Sequence, residues 1–176
     1  KNMFKHLLTP AIVSTMFLAG CAGTNSPNGH VYEDIVAPGK VKLLNLTGAS
    51  TTDGAAEVYF SSSQRTEAAV VFRDRLVAIQ VDGKDLPGAD RGNKLTYPTG
   101  YQAIALTPGV HSISYCHMTR SALATGVWSC NFKVTDFHFE SNARYMVQGN
   151  VKVSSGTIGN SITRTANVTT GIYKLD

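Results

Sequence analysis

From residue 39 onward the chain keeps breaking its own runs. Short segments rich in Val, Ile, Phe, Tyr and Thr are bounded by turn pairs, among them Asp53-Gly54, Asp82-Gly83 and Pro108-Gly109, and no stretch sustains the apolar period of 3.6 that a helix needs. Asp-Gly reverses a strand within two residues because both positions accept positive φ, and Pro-Gly combines a fixed φ with a free one. "KVKLLNLTG" and "AAEVYFSS" are read as strands joined through Asp53-Gly54 as a hairpin. "AAVVFRD" and "RLVAIQV" run into the Asp82-Gly83 turn, and "YQAIALTPGVHSISYC" gives two strands separated by Pro108-Gly109. "NFKVTDFHFES", "RYMVQGNVKVSSG" and "ITRTANVTTGIYKL" supply the rest. Residues 63–75, "SQRTEAAVVFRDR", carry a conflict, since Glu67 to Ala69 suit a helical turn while Val70, Val71 and Phe72 suit a strand; β-branched and aromatic content decides for strand.

About eight strands with turns at this spacing make an all-β chain. A single antiparallel β-sandwich or a small closed barrel is expected, because a half-buried sheet must cover its apolar face with another. Alternation nominates Val58, Phe60, Val77, Ile79, Val81, Ile104, Leu106, Ile113, Tyr115, Phe137, Phe139, Tyr145, Val147 and Val151 as core.

The N-terminus follows another logic. "LLTPAIVSTMFLAG", residues 7–20, stands behind Lys5 and is too short and too interrupted to match the roughly 20 apolar residues of a membrane span. A basic start, a short apolar core and small residues are the layout of a secretory signal. Leu18, Ala19, Gly20 and Cys21 resemble, position for position, the lipobox of bacterial lipoproteins. The resemblance implies that the Cys21 thiol is acylated, that the leader is cut before it, and that Ala22, where an inner-membrane retention signal would have Asp, directs the product to the outer membrane. Covalent lipid is then the only cofactor expected, and multiple acylation anchors without a spanning helix. The expected organisation is a signal peptide over 1–20, a flexible tether over 21–38 rich in Gly, Asn, Ser and Pro, and a β-sandwich domain over 39–176.

A second resemblance covers about 75 residues. "VAIQVDGKDL", "GYQAIALTPGVHSISY" and "FHFESNARYMV" look like the pattern of PEGA-like uncharacterised β-sandwich lipoproteins of bacterial envelopes. It implies a fold and no active site, since its shared residues are turn chemistry.

The chain has three cysteines, an awkward number in an oxidising compartment. Lipidation of Cys21 leaves Cys116 and Cys130, which the periplasm would allow to bridge; two buried thiols are the alternative. Between them, "HMTRSALATGVWSC" is read as a closed loop presenting Arg120, Leu123 and Trp128 as a candidate partner-binding surface, Trp and Arg being enriched at binding hot spots. The competing reading folds Leu123 and Trp128 back to cap the sandwich.

No catalytic or metal-binding set emerges from the sequence. His111 and His117 on one extended strand would stand about 20 Å apart, with Cys116 on the other face, whereas zinc needs its ligands within one small shell. Gly-x-Ser-x-Gly is absent, and Asp82, Asp85, Asp90, Asp136 and Glu140 do not select a pair. Sixteen Lys and Arg against 12 Asp and Glu become 14 against 12 once Lys1 and Lys5 leave with the leader. A net +2 without a basic run gives no nucleic-acid footprint. The expectation is a non-enzymatic lipoprotein that docks onto an envelope protein partner, with residues 150–170 as an edge hairpin open to strand addition. A glycan- or small-ligand-binding lipoprotein using Trp128, and an inhibitor of an envelope hydrolase, are the rivals.

Overall fold

The computed structural model describes residues 31–32, 41–67, 69–93, 95–121, 126–158 and 161–175. The expected leader, Cys21, most of the tether and Leu123 lie outside the described residues, as does the Val151 side chain. Eleven strands are described: β1 (Val31–Tyr32), β2 (Leu43–Asn45), β3 (Ala56–Phe60), β4 (Ser62–Glu67), β5 (Val70–Val81), β6 (Lys84–Asp85), β7 (Ala103–Leu106), β8 (Gly109–Ser121), β9 (Val127–Phe139), β10 (Arg144–Ile158) and β11 (Ser161–Leu175). They form two open sheets packed as a β-sandwich. One is ordered β1-β4-β5-β8-β9 with β6 also on β5; the other is ordered β11-β10-β3-β7-β2.

The chain passes between sheets at sharply defined points. Ser61 is the clearest: its N–H donates to Val147 O at 2.9 Å in the five-stranded sheet, and its carbonyl accepts from Leu76 N at 3.0 Å in the six-stranded one. One residue thus serves both ladders, so "AAEVYFSS" ends one strand and begins another in the opposite layer. Pro108 and Gly109, the latter at φ 140°, do the same between β7 and β8. Such corners fold a continuous extended chain over itself and bury both inner faces.

The main core between the sheets contains Val58, Phe60, Leu76, Ile104, Leu106, Ile113, Tyr115, Phe139, Tyr145 and Val147 among its buried residues. Val81 and Phe137 pack against it while only partly buried, and Val77 and Ile79 are buried on the outer face instead. The Tyr115 hydroxyl donates to Thr170 Oγ1 at 2.6 Å, a polar tie from β8 to β11. Burial pushes the Tyr115 phenol up, outweighing that bond.

Asp82-Gly83 makes the expected hairpin between β5 and β6, at φ 49° and 75°. Within residues 63–75, Val70, Val71 and Phe72 are strand, as their β-branched and aromatic content requires, but the span holds two strands and not one: β4 ends at Glu67, Ala69 takes φ 64°, and β5 returns antiparallel from Val70. Asp53-Gly54 is a turn but not the expected hairpin: β2 and β3 do not pair, and each lies instead beside β7, β2 parallel to it and β3 antiparallel. The local reason is that Asn45 Oδ1 accepts from Thr47 N–H at 2.9 Å and ends β2 early. Gly54 is then held by the Ser141-Asn142 turn, its N–H donating to Asn142 Oδ1 at 3.1 Å.

Candidate functional site

Side chains alternate across a strand, so β5 sends Phe72, Asp74 and Leu76 to the core face and Val71, Arg73, Arg75 and Val77 outward. β8 likewise turns His117 and Thr119 inward and Cys116, Met118 and Arg120 outward, opposite their β5 neighbours. The two faces hold different chemistry.

Outside, Cys116 and Cys130 form a disulfide between neighbouring strands, with Cα atoms 3.9 Å apart. With Val77, Ile79 and Met118 they make a small second core, against which Ala89 and Trp128 pack. Near Ala89 the Arg91 carbonyl oxygen stands 3.4 Å from Cys130 Sγ.

The expected closed loop between the cysteines is a correction. Residues 116–121 and 127–130 continue β8 and β9 as an antiparallel arm, with His117 opposite Ser129, Met118 opposite Trp128 and Thr119 opposite Val127. The alternation of inward Thr119 with outward Met118 and Arg120 is strand patterning, and the bridge staples a ladder instead of tying off a loop. Arg120 and Trp128 do come together, through Tyr97. The Arg120 guanidinium carbon sits 4.2 Å from the Tyr97 ring centroid, and Trp128 meets the same ring edge-on at 5.4 Å. Gly126 N–H donates to the Tyr97 hydroxyl at 2.9 Å. A Cβ at Gly126 would stand 2.6 Å from Thr119 O and 2.7 Å from the Tyr97 ring, so only glycine permits this approach. Tyr97 carried no sequence signal beyond the turn-forming Pro98 and Gly100 beside it.

Inside lies a buried ionic cluster that the sequence reading passed over. Arg65 Nε is 2.8 Å from Asp74 Oδ2, their side chains 7% and 4% exposed. Thr119 donates its hydroxyl to Asp74 Oδ1. His117 Nε2 stands 3.4 Å from the same oxygen, long for a hydrogen bond, and has no better partner. Burial pushes the Asp74 carboxyl up, but contacts from His117 and Thr119 and the Arg65 guanidinium outweigh it and hold the group below the usual carboxylate range. Arg65 also stacks over Phe72 at 4.4 Å.

The other candidates disperse. His111 directs Nδ1 at Asp82 Oδ2 (2.6 Å) and Nε2 at Thr107 O (2.9 Å), fixing the β5–β6 turn against β8. Asp82 feels burial upward, yet the Ser112 N–H and His111 hold it low. His111, Cys116 and His117 are not brought together, and among the described residues no three His, Cys, Asp or Glu side chains are placed to hold a metal. Asp85 accepts from Gln80 at 2.6 Å and Asp90 from Gly92 N–H at 2.9 Å. Asp136 accepts from Ser112 at 3.0 Å, and Glu140 pairs with Lys174 at 2.7 Å. Each serves a turn or a strand junction.

The third feature is a long arm. β10 and β11 pair without a break from Arg144 opposite Leu175 to Ile158 opposite Ser161. β3 accompanies β10 only over Arg144–Val147, and among the described residues no strand pairs with β10 beyond that point or with the far edge of β11. The Gly149 N–H still donates to Ser61 Oγ at 3.2 Å, and the eight residues of β10 from Val151 to Ile158 follow, roughly 26 Å of strand.

Comparison of the chain with protein-family models, with curated proteins and with solved structures finds no match.

Proposed function

We propose that this chain is an outer-membrane lipoprotein on the periplasmic side, anchored by lipid on Cys21, that serves as a non-enzymatic interaction subunit of a cell-envelope assembly. The observation that carries the reading is the β10–β11 arm. From Val151 outward, a two-stranded ribbon whose edges no described strand accompanies presents rows of backbone N–H and C=O groups that invite another strand. Left open, such an edge is an aggregation hazard; given to a partner, it is a mode of recognition. The leader supports the address, since Leu18-Ala19-Gly20-Cys21 carries the lipobox pattern.

The test shortens the arm in register. Val153 lies opposite Ala166, so replacing residues 154–165 by Asn-Gly keeps the inner rungs and closes them with a favoured turn. Co-purification from membranes extracted with mild detergent is compared for both forms. Loss of defined partners from a shortened protein that still melts cooperatively supports the reading. Undiminished co-purification contradicts it.

A further inference from the structure

Arg73 on β5 lies directly opposite Arg120 on β8. Directly opposed residues share a face with Cβ atoms about 5 Å apart, and like charges so placed destabilise a sheet. Arg75 follows two residues on, on the same outer face, about 7 Å from Arg73. All three side chains are exposed. With Ser62, Val71 and Met118 they line a groove of about 520 Å³ on the solvent side of β4, β5 and β8.

Three guanidinium groups in one groove would ordinarily be balanced by carboxylates on flanking strands. Here the β4 neighbours are Ser62 opposite Arg75 and Gln64 opposite Arg73, neither charged. Among the described residues Arg73, Arg75 and Arg120 take part in no ion pair, unlike Arg65 with Asp74 and Lys174 with Glu140. Asp74, the one acid in the groove wall, is 4% exposed and turns its carboxylate to the opposite face, toward Arg65 and Thr119. Arg120 is also held in place, stacked on a Tyr97 ring that Trp128 and Gly126 secure. A fixed guanidinium loses less freedom on binding.

The geometry points to a binding site for a phosphorylated ligand, a phosphomonoester or diphosphate, gripped by Arg73, Arg75 and Arg120. Two or more negative charges are needed to offset three positive ones, and the planar guanidinium fork matches phosphate oxygens in pairs. The volume lies within the usual range for small-molecule sites, and Val71 and Met118 offer apolar contact to the body that carries the phosphate. The ligand is either a free phosphorylated molecule or a phosphate-bearing lipid headgroup. The site lies on the sheet opposite to the one bearing the β10–β11 arm, so it stands or falls independently of strand addition.

The experiment titrates the purified full chain with inorganic pyrophosphate at low ionic strength by calorimetry. In parallel, flotation is measured with vesicles of phosphatidic acid and of phosphatidylcholine. Arg73→Gln and Arg75→Gln are each expected to weaken binding at least tenfold with the melting temperature unchanged, Arg73→Lys several-fold, and Lys174→Gln, on a remote charge, not at all. Saturable pyrophosphate binding with this pattern establishes a site for a free ligand; binding of phosphatidic acid vesicles alone, with the same arginine dependence, assigns a headgroup. No binding of either probe, or equal losses in Lys174→Gln and Arg73→Gln, overturns the proposal.

Discussion

Replacing Asp74 by Asn keeps the shape of the side chain and removes its charge from beneath the sheet. Arg65 then faces a neutral amide at the position of a carboxylate 2.8 Å away, with both side chains almost wholly excluded from water. Removing one partner of a buried pair costs about 3 to 5 kcal/mol. The Asn carbonyl can still accept from Arg65 and Thr119, so the lower end, about 3 kcal/mol, is expected. At roughly 2.1 cal/mol/K per residue, a domain of about 138 residues unfolds with about 0.29 kcal/mol/K of entropy, and the melting temperature falls by about 10 °C. The pH dependence is the sharper signature. Asp74 is held below its ordinary carboxylate range in the folded protein, so its contribution is complete above the unfolded pKa near 3.9 and is lost as pH falls through the folded value. Urea unfolding followed by circular dichroism should therefore give a constant gap between wild type and Asp74→Asn from pH 7 to 5, closing below pH 4. A melting temperature lowered by less than about 3 °C, or a gap that does not change down to pH 3, would refute the reasoning.

Reduction of the Cys116–Cys130 bridge, which spans 14 positions of sequence, should lower stability by about 3 kcal/mol on loop-entropy grounds, read as a drop in melting temperature with dithiothreitol. Tyr115→Phe deletes the 2.6 Å hydroxyl tie to Thr170 and should cost about 1 kcal/mol in urea unfolding; no measurable change would show that the tie between β8 and β11 carries nothing. Gly126→Ala drives a methyl into Thr119 O and the Tyr97 ring. The expected result is about 2 kcal/mol of destabilisation and a red shift in the emission of Trp128, the chain's single tryptophan, while an unshifted spectrum would mean that Tyr97 does not hold the indole.

Strand content and most of the core were legible because alternation and turn chemistry are local signals. Asp82-Gly83 forms its hairpin since both residues take positive φ there, and Phe60, Ile104, Tyr115 and Tyr145 are buried as their parity demands. Membership of a sheet is not a local property. Nothing in "AAEVYFSS" marks Ser61 as a corner, because that role depends on Val147 and Leu76, which reach it from distant parts of the chain. The same limit explains Asp53-Gly54, a sound turn whose flanking strands find β7 before they find each other.

The site was legible in part. Arg120 and Trp128 are brought together, but by Tyr97, which no periodicity singled out. Asp74 could have been found. Its parity matches Phe72 and Leu76, placing a carboxylate on the core face where only a buried cation would suit it. Arg73 and Arg75 share the other parity, yet their confrontation with Arg120 needed the register of β5 against β8, which sequence spacing does not contain.

Whether the chain joins an envelope assembly through its β10–β11 arm is decided by cross-linking the full-length protein in intact cells, followed by sizing and composition of the membrane-extracted species. A photoreactive residue at Ser155, within the β10–β11 arm, and another at Asp85, on the exposed β6 turn, make the readout positional. Strand addition at the arm predicts a reproducible large complex in which defined envelope proteins are captured from Ser155 and not from Asp85. A clean monomer, or equal capture from both positions, would contradict it.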